Sequence, residues 1–348
     1  MIAVRREGII LEKTDLLFEA DSVLNPAVYQ EGQTVHIFYR AVRKGNYSTI
    51  GYCKLEGPLK VVERNMEPLL SAEFEYEMHG VEDPRIVKIE DTFYMTYTAY
   101  DGLNAVGALT TSTDLKHFER RGVITPLFSF KEFNRLAQAG APLNEKYQRF
   151  HVYTINEEIS PKKYLLWDKN VIFFPRKING KFFFIHRIKP DIQIACVNAI
   201  QDLTKEFWEN YFFHFSKHIM LTPVYDHEIS YIGGGCPPIE TEEGWLIIYH
   251  GVHDTVSGYV YTACAALMEL NNPEKEIARL PYPLFKPETD WEKNGIVNNV
   301  VFPTGAALID GILYIYYGAG DKCIACASVV LKDLLTELNN YSKKHENL

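Results

Sequence analysis

The chain has 348 residues, 47% of them hydrophobic and 13% aromatic, with a formal net charge of −9. That length suffices to bury a large core, and the acidic balance argues against nucleic acid as a partner. No apolar run reaches membrane-spanning length, and the first residues lack the apolar stretch of a secretory leader. Six scattered cysteines fit reduced thiols, so the expected setting is the cytoplasm.

Aromatic and β-branched side chains suit a pleated surface, so this composition favours strands over helices. In chain order one pattern recurs five times: a polar turn, an aromatic-rich strand, a variable loop, and a strand of small apolar residues. The aromatic strands are Val35–Arg40, Thr92–Tyr97, Phe182–Arg187, Trp245–His250 and Ile312–Tyr317. Their small-residue partners are Ser48–Cys53, Val106–Thr110, Ile192–Cys196, Val260–Ala265 and Cys323–Ala327. Between copies two and three, Phe130–Gln138 reads as a short helix or lid, and Val330–Lys344 reads as a terminal helix. The predicted fold class is therefore all-β, a five-bladed β-propeller with a short C-terminal helix, in one catalytic domain spanning residues 1–348. A β-sandwich with coincidental periodicity is the competing architecture.

In a propeller, loops at one end of the central channel converge on a shared site. The polar residues at the ends of the aromatic strands are Arg40 and Arg43, Thr98 and Asp101, Arg187, Tyr249 and His250, and Asp321. Asp83, in His79-Gly80-Val81-Glu82-Asp83-Pro84-Arg85, precedes the second aromatic strand. The proline biases it toward an extended conformation. An aspartate serves as a general acid when burial or a nearby anion raises its pKa; otherwise it is a turn residue paired with Arg85. Lys169, Arg187 and His250 form a set of cations with no carboxylate among them, which suits an anion, phosphate above all. Gly233-Gly234-Gly235 lacks the lysine and helix of a nucleotide loop and reads as the lining of a tight channel. Cys323 and Cys326 form a lone C-x-x-C, so no metal is expected.

These segments resemble glycoside hydrolase family 130, the mannoside phosphorylases and related β-mannosidases. The resemblance rests on Leu24–Val28, Phe38–Arg43, His79–Ile86, Tyr97–Gly102, Phe174–Lys181, Gly235–Ile239, Ile248–Val252 and Tyr317–Asp321. It implies a five-bladed propeller and a phosphorylase acting on β-linked manno-oligosaccharides, with inorganic phosphate as co-substrate and no other cofactor. Asp83 would be the general acid, acting through a hydroxyl of the bound mannosyl unit. Asn25, Arg40, Arg43, Thr98, Asp101 and Asp321 would hold the sugar. Lys169, Arg187, Tyr249 and His250 would bind phosphate, which inverts the anomeric carbon to give α-mannose 1-phosphate. There are departures: Tyr231 stands where the family's phosphorylases carry a lysine, and Asn170 where the family often has aspartate. An inverting β-mannosidase with Glu228 as base is the second reading, because inverting hydrolysis needs a second carboxylate. A non-catalytic carbohydrate-binding propeller is the third. The linkage, the leaving sugar and the oligomeric state, a homo-oligomer included, stay open.

Overall fold

The computed structural model describes residues 2–150 and 163–342. The fold is all-β, with few helices. After β1 (Arg5–Leu11), a first unit holds β2 (Ser22–Glu31), β3 (Thr34–Arg43), β4 (Tyr47–Glu56) and β5 (Lys60–Arg64). A second holds β6 (Gly80–Ile89), β7 (Thr92–Tyr100), β8 (Ala105–Ser112) and β9 (Glu119–Val123). Two helices follow, α1 (Phe130–Gly140) and α2 (Glu145–Phe150). The third unit has β10 (Lys169–Phe173), β11 (Phe182–Arg187), β12 (Ile192–Val197), α3 (Lys205–Phe213) and β13 (Ile219–Leu221). The fourth has β14 (Tyr231–Gly234), β15 (Ile239–Thr241), β16 (Gly244–Thr255), β17 (Gly258–Met268) and β18 (Glu276–Arg279). After α4 (Asp290–Lys293), the fifth has β19 (Val301–Ile309), β20 (Ile312–Ala319) and β21 (Cys323–Val330), before α5 (Leu331–Asn340).

All five aromatic strands expected from the sequence pair antiparallel with their small-residue partners, as β3–β4, β7–β8, β11–β12, β16–β17 and β20–β21. The N-terminal β1 completes the last sheet by pairing with β21, so the two ends of the chain share one sheet. The first two units are joined by a single parallel pairing, Ser48 with Gly80. In successive order β2 packs on β6, β6 on β10, β10 on β14 and β16 on β19, and β19 packs on β2. An apolar cluster fills each junction, such as Ile172, Ile185, Trp245 and Ile247 between units three and four. The alanines of the strand after each loop, Ala263 and Ala265 among them, let the neighbouring sheet approach to packing distance. Each fully buried Ile, Leu or Phe contributes about 1.5–3 kcal/mol.

Helix α1 begins at a capping box in which Ser129 and Glu132 satisfy each other's free backbone N–H groups. Its buried Phe130 and Phe133 pack with Phe212 of α3, anchoring the helices beside units two and three. The terminal helix is shorter than the sequence suggests: α5 ends at Asn340, and residues 343–348 lie outside the described residues.

Candidate active site

The innermost strand of three units is broken by a bulge at the same place. The register shifts between Leu24 and Ala27, between Glu82 and Arg85, and between Lys169 and Ile172. Each bulge carries a residue in the left-handed region: Asn25 at φ 50°, Asp83 at φ 50° and Asn170 at φ 55°. Asp83 is thus not extended, contrary to the expectation from Pro84. A bulge re-aims one side chain, and left-handed non-glycine backbone costs about 1–3 kcal/mol, so it persists where surrounding structure imposes it. Here all three side chains turn into one cavity of about 270 Å³, shared with Arg40, Lys169, Arg187 and Asp321. Six residues predicted for the site, from four different units, therefore meet in one place.

The two acids of the cavity differ in environment. Asp83 accepts from Asn25 Nδ2 at 2.7 Å and from Arg40 at 3.5 Å. Arg40 is itself held by Glu82 and Ser48, both at 2.8 Å. Asn25 comes this close because Gly318 has no side chain; a Cβ there would fall 2.2 Å from Asn25 Oδ1. Burial pushes the Asp83 carboxyl up, but Arg40, Lys169, the Asn25 amide and Arg85 together hold it below the usual carboxylate range. Asp321 has less help: burial, opposed by Arg40 and reinforced by Asp83, lifts it to about 6. Near neutral pH, then, Asp83 is ionised in the ligand-free protein. An anion bound among its cations would raise it toward the protonated form that a general acid needs.

The cations lie across the same cavity. Lys169 Nζ sits 3.9 Å from Glu82 and 5.2 Å over the ring of Trp167. Arg187 lies 3.2 Å from His250 Nε2. Burial, then Arg187, Arg85 and Lys189, drive the His250 pKa far down, so the ring is neutral and accepts from Arg187. His250 is therefore a support behind Arg187 rather than a cation facing an anion. Gly233 makes room for this pair: a Cβ there would lie 2.6 Å from the His250 ring and 2.8 Å from Arg187 Cδ. None of the three glycines lines the cavity: Gly234 packs against Ile172 and Ile185 and Gly235 against the Ile248 and Pro303 backbone, so the segment serves close packing rather than lining a channel.

Several predicted residues are elsewhere. Tyr249 points away from the cavity, and its hydroxyl donates to Glu228. Glu228 is fully buried, accepts the backbone N–H of Val224 at 2.9 Å and of Tyr225 at 3.3 Å, and pairs with Arg279 at 3.4 Å. It does not line the cavity and has no free oxygen to activate water, so it is withdrawn as a base, and Tyr249 as a phosphate ligand. The same clasp recurs: Glu19 with Tyr39 and Arg64, Glu77 with Tyr97 and Arg120, and Glu292 with Tyr317 and Arg6. In the third unit His186 takes the tyrosine's place and bonds Asp168 and Tyr211, each at 2.8 Å. Arg43 is exposed and lies over the Tyr47 ring at 4.6 Å. Asp101 accepts the N–H groups of Leu103 at 2.8 Å and Asn104 at 2.6 Å, which closes a turn. Thr98 is buried opposite Glu82 in the β6–β7 pairing. None of the three lines the cavity.

The cavity also holds Trp167, Lys189, Tyr231 and Tyr261, which the sequence reading did not select for it. Trp167 lies just ahead of β10 and Lys189 in the turn just after β11, so both flank strands whose ends the sequence reading did select. Nothing in the local sequence marks Tyr261.

The profile of glycoside hydrolase family 130, described as beta-1,4-mannooligosaccharide phosphorylase, matches residues 5–340. A 1,2-beta-oligomannan phosphorylase from Thermoanaerobacter sp. (strain X514) is 32% identical, over 96% of this chain and 99% of its own. A beta-1,2-mannobiose phosphorylase from the same organism is 34% identical, over 90% and 91%. Among solved structures, beta-1,2-mannobiose phosphorylase from Listeria innocua shares the fold with a TM-score of 0.72 at 23% identity, covering 97% of this chain and 100% of that one.

Proposed function

This chain belongs to glycoside hydrolase family 130, and we propose that it is an inverting phosphorylase of β-1,2-linked manno-oligosaccharides. The observation that carries this reading is the cavity itself, where the cations Lys169 and Arg187 share one space with Asp83 and Asp321, while Glu228, the acid considered as a base, lies outside it. The names of the two Thermoanaerobacter relatives support phosphorolysis and the β-1,2 linkage. We further propose that the five packed units form a five-bladed β-propeller in one catalytic domain, a reading supported by the contact of each unit with the next and of the last with the first. Six free cysteines suit a reducing compartment such as the cytoplasm.

In this mechanism Asn25, Arg40 and Asp321 hold the mannosyl unit at the cleavage point. Asp83 supplies a proton to the glycosidic oxygen by way of a sugar hydroxyl. A phosphate oxygen, held by Lys169 and Arg187, attacks the anomeric carbon from the opposite face as the bond to the leaving sugar breaks. The leaving sugar departs with the proton, and the mannosyl unit departs as α-mannose 1-phosphate. Phosphate is already an anionic nucleophile, so no second carboxylate is required, unlike inverting hydrolysis. His250 acts through Arg187, fixing its direction. The test is incubation with β-1,2- and β-1,4-mannobiose, with and without phosphate. Mannose 1-phosphate from the β-1,2 substrate is expected, and equal cleavage without phosphate refutes the reading.

A further inference from the structure

We infer that Lys189 is an additional phosphate-binding cation of this site, reaching from the end of β11 to the position beside Tyr231. The inference rests on the phosphorolysis reading and extends it to a residue outside the motifs that carry the family resemblance. Lys189 lines the same cavity as Lys169 and Arg187. Its ammonium lies 3.8 Å from the centroid of the Tyr231 ring and 5.5 Å from that of Phe150. Among the described residues it has no carboxylate within ion-pairing distance, whereas Lys169 has Glu82 and the surface Lys177 has Glu90.

A buried ammonium is expensive unless paired, and a ring face compensates only part of the lost hydration. Lys189 is surrounded by the cations Lys169 and Arg187, the neutral His250 and the phenols Tyr231 and Tyr261, with the acids Asp83 and Asp321 elsewhere around the cavity. Burial, Arg187 and Lys169 lower its pKa to about 6. Such a group gains most from a dianion, which restores both its charge and its partner. The arrangement also accounts for the departure at Tyr231. Where the resemblance implies a lysine, this chain has an aromatic ring, and Lys189, from the turn after β11, stands on that ring. The positive charge is retained although its position in the sequence has moved.

The test uses Lys189→Met and Lys189→Arg in the full-length chain. In phosphorolysis, Lys189→Met should raise the KM for phosphate about tenfold or more, with the KM for mannobiose little changed, and Lys189→Arg should recover much of the loss. Calorimetry with sulfate, which carries no titrating proton near neutral pH, should show proton uptake on binding at pH 7.5 by the wild type and clearly less by Lys189→Met, the remainder belonging to Asp83 and Asp321; equal uptake by the two would overturn the role of Lys189. An unchanged phosphate KM in a phosphate-dependent enzyme overturns the role of Lys189 alone. Cleavage that needs no phosphate overturns the functional reading instead, and the sulfate measurement then still decides whether Lys189 binds an anion.

Discussion

Glu228, fully buried ahead of β14, and Asp83, mostly buried within β6, are both carboxylates beside an arginine, yet they have opposite characters. Glu228 has two backbone N–H groups, the Tyr249 hydroxyl and Arg279 around it. Asp83 has the Asn25 amide and the far end of Arg40, in a cavity with the cations Lys169 and Arg187 and the amine of Lys189. The first carboxylate is saturated by its own unit and repeats, with the same partners, in three other units. The second is assembled from different units and leaves charge unbalanced. A saturated carboxylate holds a fold together, because removing one partner strands the others. An unsaturated one is available to a ligand. Adjacent residues of one strand serve the two kinds of place: Tyr249 joins the clasp, and His250 lies on the other side, behind the cavity residue Arg187, as alternation along a strand requires.

This contrast breaks most clearly at Asp83. Asp83→Asn should lower the rate of mannose 1-phosphate release by about a thousandfold with the melting temperature nearly unchanged. A near-normal rate would remove Asp83 as the acid. At Glu228 the effect should be of the other kind. Glu228→Gln removes one of the two carboxylates around Arg279, leaving Glu276 at 2.8 Å, and weakens the bonds from Tyr249 and the backbone, so it should cost about 1–3 kcal/mol in denaturant unfolding. If the variant instead stays stable and loses turnover, the clasp has a catalytic role after all. Lys189 sharpens the comparison through pH. Its pKa is lowered to about 6 in the folded protein against about 10.4 unfolded, so the folded state binds fewer protons than the unfolded state between those values. Its contribution to stability is complete above pH 10 and is lost as pH falls toward 6. Lys189→Met should therefore melt higher than wild type, ligand-free, by about 2–4 °C at pH 6. The gap should close toward pH 10, and a gap independent of pH would contradict the burial of that charge. Smallest of all, Tyr249→Phe should cost about 1 kcal/mol and leave the phosphate KM alone.

The sequence carries the strands well because a five-fold repeat of aromatic and small residues reflects one packing problem solved five times. It carries Arg40, Arg187 and Asp321 because each stands at or just after the end of an aromatic strand, and Asp83 because of the motif around it, whereas Asn25 comes from the family resemblance alone. It fails where facing decides. Tyr249 and His250 are neighbours with equal claims on composition, and only the pleat separates them. Glu228 looks like a spare acid until its clasp is seen beside those of Glu19, Glu77 and Glu292. Arg43 and Asp101 sit at strand ends that the repeat places near the cavity, but one lies over Tyr47 and the other closes a turn. Lys189 escapes notice because its partner, the ring of Tyr231, lies in the next unit of the chain.

The central claim is that phosphate, not water, is the partner of Asp83 across the sugar. It is tested most directly by following β-1,2-mannobiose and phosphate by phosphorus and proton NMR from the first minutes of reaction. The account predicts α-mannose 1-phosphate as the first labelled product, formed in step with free mannose and absent when phosphate is left out. Release of two mannose molecules at the same rate without phosphate, or a β-configured phosphate ester, would contradict it.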